Sequence, residues 1–158
     1  MSSGNLSIKL EEFDLSILLK ETIERNMELF KEKNVHVMLN SCEKAVNGRW
    51  DRLRVEQIIT NLLTNAIKYG NGRPIDIAVF ARSGYAKLVV KDRGIGIPKD
   101  LKGKLFSRFE RGTNAHQFEG LGVGLYLSMQ IVRAHEGTID VSSTPNRGST
   151  FTVTLPLS

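Results

Sequence analysis

The stretch TNLLTNAIKYG, residues 60–70, places Asn61 and Asn65 four apart in an apolar segment and adds Lys68 three positions on. Asparagine is about 0.5–0.7 kcal/mol worse than alanine in a helix interior, so glutamate or lysine would serve a merely solvated surface better. At 100° per residue Gln57, Asn61, Asn65 and Lys68 share one narrow face, while Val55, Ile59, Leu62, Leu63 and Ala66 occupy the other. That stripe is either a solvated helix face or a row of amide oxygens for a hard cation, with the lysine meeting phosphate. Mg²⁺ takes oxygen ligands, keeps several waters and accepts phosphate oxygens, so one protein oxygen can suffice.

Two further stretches carry chemistry. In VVKDRGIGIP, residues 89–98, an apolar run ends at Asp92 and gives way to Gly94, Gly96 and Ile97. A carboxylate can accept from an exocyclic amino group such as that of adenine, and glycines let backbone approach a flat ring. The same pattern also describes an ordinary strand followed by a turn. In EGLGVGLYL, residues 119–127, Gly120, Gly122 and Gly124 run into a helical pattern through Leu121, Val123 and Leu125. A helix N-terminus approached by glycines offers free N–H groups and a positive dipole end to phosphate. The spacing is not that of a dinucleotide fingerprint, no strand precedes it, and no P-loop motif occurs anywhere in the chain.

The elements that must position these residues follow from periodicity. Leu15, Leu19, Ile23, Met27 and Phe30 predict an amphipathic helix over residues 14–33, and VHVML, residues 35–39, a short strand. Trp50 and Asp51 lead into a second helix with Asp51 as N-cap, running to about Tyr69 and stopped by Gly70. IDIAVFA and YAKLVVK flank Arg82-Ser83-Gly84 as a hairpin. Residues 97–119 show no sustained period and are longer than an ordinary connection, which predicts a mobile lid. A third helix runs from Gly122 to about His135, and TIDVSS and STFTVTLP form strands around the turn at residues 145–148. Helices interspersed with hairpins, without βαβ alternation, predict an α+β two-layer sandwich: a mixed, mostly antiparallel sheet of about five strands covered on one face by three helices.

Composition narrows the partners. A chain of 158 residues fits one domain, no apolar run approaches a membrane span, and the lone Cys42 excludes an internal disulfide and suits a reducing, cytoplasmic compartment. The net charge of +5 is local: the segment from Lys91 to Arg111 holds seven basic and three acidic residues. This suits one anionic ligand or acidic surface, and there is no groove-reading helix or aromatic stacking set for nucleic acid.

Taken in order, NLLTNAIKY, DRGIGIP, LFSRFERG, GLGVGL and NRGSTFTVTLP resemble the boxes of the ATP-binding domain of bacterial sensor histidine kinases, in the Bergerat-fold superfamily of ATPases and kinases. The likeness covers nearly the whole chain, including KLEEFDL, which looks like the family's entry from its phosphoacceptor helices. It implies residues 1–13 as a fragment start and linker and residues 14–158 as the catalytic domain. It implies Mg²⁺ on Asn65, with Asn61 supporting the metal or its waters. Lys68 is implied at the phosphates, Tyr69 against the base, and Asp92 at the adenine with Gly94, Gly96, Ile97 and Thr150. Gly120, Leu121, Gly122, Val123, Gly124 and Leu125 are implied at the triphosphate and the helix start. Phe106 and Phe109 match the aromatic box of the lid, and Arg111 is a candidate for the γ-phosphate.

The superfamily's hydrolytic members carry a glutamate one turn before the first asparagine, where this chain has Gln57. A neutral amide cannot act as a general base, which disfavours hydrolysis and favours transfer to an imidazole. None of His36, His116 and His135 lies in an H-E-x-R-x-P setting, so the acceptor is expected on a separate dimerisation domain. The expected function is ATP- and Mg²⁺-dependent histidine phosphorylation. Its expected partners are that dimerisation domain in a homodimeric parent, membrane-anchored or not, and indirectly a response-regulator receiver domain. The isolated domain is expected to be monomeric, without nucleic-acid or direct membrane contact. The alternatives are a nucleotide-gated binding module without transfer, and a serine-phosphorylating or hydrolytic relative.

Overall fold

The computed structural model of the chain describes residues 6–40, 44–98 and 121–158, of 121–123 the backbone only. Residues 99–119 of the expected lid, with Phe106, Phe109, Arg111 and His116, lie outside the described residues, as do Gly120 and Cys42. In chain order the elements are β1 (Glu11–Asp14), α1 (Leu15–Arg25), α2 (Met27–Glu32), β2 (Val37–Asn40), β3 (Asn47–Trp50), α3 (Arg52–Tyr69), β4 (Ile75–Arg82), β5 (Tyr85–Asp92), α4 (Leu121–Ala134), β6 (Thr138–Thr144) and β7 (Gly148–Pro156).

Five strands form one sheet in the order β2-β4-β5-β7-β6, with β2–β4 parallel and the other pairs antiparallel. Alternation sets its two faces. Ile75, Ile77 and Val79 of β4, Ala86, Leu88 and Val90 of β5, and Phe151, Val153 and Leu155 of β7 are buried. Their chain neighbours Asp76, Lys87, Lys91 and Thr152 are not. Against the buried face pack the apolar sides of α1, α3 and α4, with Leu18, Leu19, Ile58, Ile59, Leu62, Leu63 and Leu125 fully buried or nearly so. The β4–β5 hairpin closes through Ser83 and Gly84, both at positive φ (53° and 85°), the conformation of a two-residue primed turn.

The single helix expected over residues 14–33 is two. At Asn26 the backbone leaves helical geometry (φ −104°, ψ 8°), its N–H bonds back to Ile23 and Glu24, and its side-chain Nδ2 donates to the Thr22 carbonyl at 2.8 Å. A short amide that satisfies the last carbonyls of α1 ends the helix there. The second strand begins at Val37, two residues later than expected, because His36 contributes only its carbonyl, which accepts from Ile75 N–H at 2.9 Å.

A feature absent from the sequence reading is a ribbon in which β1 pairs antiparallel with β3, Glu11 opposite Trp50 and Asp14 opposite Asn47. Residues 11–13 of the expected linker therefore carry pairing to the domain. Trp50 ends β3 before the helix. Its buried ring meets Phe13 edge-on at 5.4 Å, and its Nε1–H donates to the Pro156 carbonyl at 2.8 Å. Arg52 lies over the Phe13 ring and bonds Glu21.

Asp51 caps α3 as expected, its Oδ1 accepting from Arg54 N–H at 3.2 Å. It does more: Oδ2 accepts from Lys9 N–H at 2.9 Å, and its own N–H donates to Nε2 of buried His135, whose Nδ1 lies 2.8 Å from the Ile131 carbonyl. One capping residue thus joins the incoming chain, α3 and the end of α4.

Candidate functional site

Asp92 closes β5 on the inward parity of Ala86, Leu88 and Val90. That parity turns a carboxylate, 6% exposed, toward the helices. Its Oδ1 accepts from Gly94 N–H at 3.0 Å, a tight turn onto its own chain, and the Ser149 backbone also donates to it. Burial nevertheless pushes the Asp92 pKa above the usual carboxylate range, with the two backbone N–H groups pulling the other way. A buried carboxylate whose hydrogen bonds do not offset its desolvation is suited to a partner that brings a donor.

A pocket lies at this carboxylate, lined by Asn65, Tyr69, Asp92, Gly96, Ile97, Ser149 and Phe151. Five of these are residues singled out in the sequence; of the helix stripe, Asn65 meets the strand end here. Asn65 enters it from the last turns of α3, and its buried Nδ2 has no hydrogen-bond partner among the described residues. Rotating a carboxamide by 180° exchanges nitrogen for oxygen, so Asn65 has an unused polar position that fits a hard oxygen ligand for a cation. An orphan of this kind costs about 1–3 kcal/mol when buried, which is the mark of a group held ready for a ligand.

Ser149 and Phe151 were not anticipated, and Thr150 was. The register explains the difference: Asp92 pairs with Ser149 and Lys91 with Thr150, and side chains alternate between faces, so Thr150 stands on the opposite side of the sheet. The signal was present in the sequence, because Ser149 shares the parity of apolar Phe151, Val153 and Leu155. The glycines after Asp92 also have a reason other than contact with a ring. A Cβ at Gly94 would collide with the Tyr69 carbonyl oxygen, and Ile95 N–H donates to that oxygen at 3.2 Å, so this glycine seats the turn on the end of α3. Gly96, at φ +70°, would likewise drive a Cβ into the Thr144 carbonyl.

Farther up α3, Asn61 faces α4. Its Nδ2 donates to the Gly124 carbonyl and to Ser128 Oγ, each at 3.3 Å. Gly124 differs from Gly94: a Cβ built there has nothing nearer than Asn61 Cγ at 3.8 Å, ordinary contact. The described protein atoms do not require a glycine at that position. Gly122 and Val123 lie in the first turn of α4, Leu121 opens it, and Leu125 is core rather than pocket. Lys68 is exposed, its ammonium 5.6 Å from the centre of the Tyr69 ring. Gln57, one turn before Asn61, accepts through Oε1 from Arg54 at 3.3 Å. It lines a groove of about 880 Å³ that runs between residues 7–11 and α3 up to Asn61.

A buried carboxylate at a strand end shares its pocket with Asn65 of the neighbouring helix in a helices-on-sheet α+β domain, an arrangement that suits a nucleotide. Residues 50–158 match the family described as histidine kinase-, DNA gyrase B-, and HSP90-like ATPase, and the chain belongs to it. It is 37% identical over 156 residues to the adaptive-response sensory kinase SasA of Thermosynechococcus vestitus, covering 96% of this chain and 40% of that protein. It is 31% identical over 157 residues to SasA of Rippkaea orientalis, covering 98% and 40%. The nucleotide-free catalytic domain of the histidine kinase ThkA has the same fold, with a TM-score of 0.83 at 26% identity over 95% of this chain and 99% of that one. The chain spans less than half the length of the curated relatives it matches here. Among the described residues no helix is long and apolar enough to cross a membrane.

Proposed function

We propose that this chain is the catalytic domain of a sensor histidine kinase, which binds Mg-ATP and passes the γ-phosphoryl group to a histidine on a separate dimerisation domain of its parent. The convergence of Asn65 and Asp92 on one pocket, in a chain of the ATPase family, supports this reading most strongly. Asp92 accepts from the adenine amino group, Ile97 and Phe151 supply apolar contact, and Ser149 stands beside the carboxylate. The glycine backbone at the start of α4 faces the phosphates, with Lys68 and Arg111 as cationic contacts. Asn65 would hold Mg²⁺, with Asn61 on the metal's waters, and the ion's chemistry there is to neutralise charge on the phosphate oxygens during transfer.

The acceptor follows from Gln57. Its amide cannot take up a proton from water, and its oxygen is already engaged by Arg54. An imidazole brings its own lone pair, so what remains for the protein is to align the reactants and exclude water. Residues 1–13 then lead in from the phosphoacceptor helices of a dimeric parent, whose phosphohistidine supplies the receiver domain of a response regulator. The test mixes this chain, γ-labelled ATP and the parent's histidine-bearing helical domain. Acid-labile, base-stable label on that domain is the expected result, and release of free phosphate without labelling would favour a hydrolytic relative.

A further inference from the structure

Ser128 is fully buried, 0% exposed, in a helix whose neighbouring inward positions Leu125, Ile131 and Val132 are apolar. Serine is a weaker helix former than alanine, and a buried hydroxyl must find a partner. The partner here lies on the other helix: Ser128 Oγ and the carbonyl of Gly124, one turn apart on α4, both accept from the single amide nitrogen of Asn61. A carboxamide has a donor edge and an acceptor edge that are nearly identical in shape, and only its hydrogen bonds decide which way it faces. Two acceptors hold the nitrogen on Ser128 Oγ and the Gly124 carbonyl and leave Oδ1 beside the bare Cα of Gly124, 4.0 Å from where a Cβ would stand.

We propose that Ser128 is a positioning residue for the cation end of the nucleotide site, fixing the Asn61 carboxamide in the one flip state that presents its oxygen to the metal's water shell. The inference rests on the nucleotide reading above. With Ser128 removed, the Gly124 carbonyl at 3.3 Å is the remaining anchor, and the amide samples both orientations. Loss of one neutral hydrogen bond corresponds to roughly a 3- to 10-fold change in the equilibrium it controls. Ser128 touches neither nucleotide nor metal, so its effect passes through Asn61 alone.

Two measurements on this chain separate positioning from simple core packing. In ATP titrations at stepped Mg²⁺ concentrations, Ser128→Ala should raise the half-saturating Mg²⁺ roughly 3- to 10-fold, with ATP affinity in chelator unchanged. The same substitution made in Asn61→Ala should add nothing. In the nucleotide-free protein, the Asn61 side-chain amide protons should exchange with solvent faster in Ser128→Ala. Threonine and valine at position 128 have the same volume and differ in the hydroxyl, so Ser128→Thr should keep the parent's Mg²⁺ dependence and amide protection where Ser128→Val loses both. An unchanged Mg²⁺ requirement with unchanged amide protection, or an equal loss of ATP affinity with and without chelator, would overturn the proposal. If the parent chain showed no Mg²⁺-dependent ATP binding, the nucleotide reading would fail instead. The Asn61 amide signals would then decide the orienting role by themselves, unchanged protection in Ser128→Ala refuting it.

Discussion

Replacing Asp92 by asparagine separates what the carboxylate contributes to nucleotide binding from what its burial costs the fold. In the free protein Asp92 is 6% exposed, and burial outweighs the Gly94 and Ser149 N–H groups, raising its pKa. Asparagine keeps the shape and an acceptor oxygen while removing the charge, so Asp92→Asn should melt at the same temperature as the parent or higher at pH 8. With ATP the sign reverses. A hydrogen bond to a charged acceptor is worth about 1.5–3 kcal/mol, or about 10- to 150-fold in Kd. Inosine triphosphate carries a carbonyl oxygen where ATP carries the amino group, so the parent should prefer ATP strongly and the variant should lose most of that preference. Calorimetric titration with both nucleotides, beside thermal melts of the free proteins, makes the comparison. Equal weakening toward ATP and inosine triphosphate, or unchanged ATP affinity with a lower melting temperature, would refute the reasoning. A pH series adds a sign. Because the folded protein holds the Asp92 proton at pH values where the unfolded chain has released it, stability should fall as pH rises from the usual carboxylate range through the raised pKa. That segment of the slope should be missing in Asp92→Asn.

Other substitutions test separate parts of the account. Asn65→Ala should abolish the Mg²⁺-dependent part of ATP binding in the same titrations while leaving the free protein as stable as the parent or more so, since among the described residues Nδ2 has no partner to lose and its burial is costly. Gly94→Ala should cost about 1–3 kcal/mol in denaturant melts, because its methyl meets the Tyr69 carbonyl. Gly124→Ala should leave melts unchanged or improved, alanine being the better helix former by about 0.8–1 kcal/mol, yet weaken ATP by narrowing the approach to the phosphates. Asp51→Ala removes the cap of α3 and the tie to Lys9, and should lower stability by about 1–2 kcal/mol in urea titration.

The parts of the fold that were legible in the sequence are those where one periodicity runs long enough to be unambiguous. Eighteen residues of α3 repeat their apolar face several times, and β4 and β5 alternate for eight residues each around a short turn. The β1–β3 ribbon was not legible because its strands are four residues long, EEFD and NGRW, and neither alternates. Its support comes from Trp50 reaching Pro156, a contact 106 residues away along the chain. The break at Asn26 was hidden because the apolar spacing continues through it, and a side-chain bond to Thr22 ends the helix.

The candidate site divides along similar lines. Residue types and spacing led to Asn65, Asp92 and Gly96, and the family resemblance added Tyr69 and Ile97; the fold gathers all five around one pocket. Thr150, implied by the resemblance, and Ser149, which lines the pocket, differ by strand parity, one residue in sequence and a whole face in space. Ser128 was invisible for a different reason. A lone serine within an apolar helix carries no message until the helix opposite is known to point an amide at it.

A crystal structure of the chain with Mg²⁺ and a non-hydrolysable ATP analogue tests the central claim most directly. The account predicts the adenine amino group within hydrogen-bonding distance of the Asp92 carboxylate, and the cation bound through the oxygen of Asn65. Density for the nucleotide on the Thr150 face of the sheet, or in the Asp92 pocket with the cation away from Asn65, would contradict it.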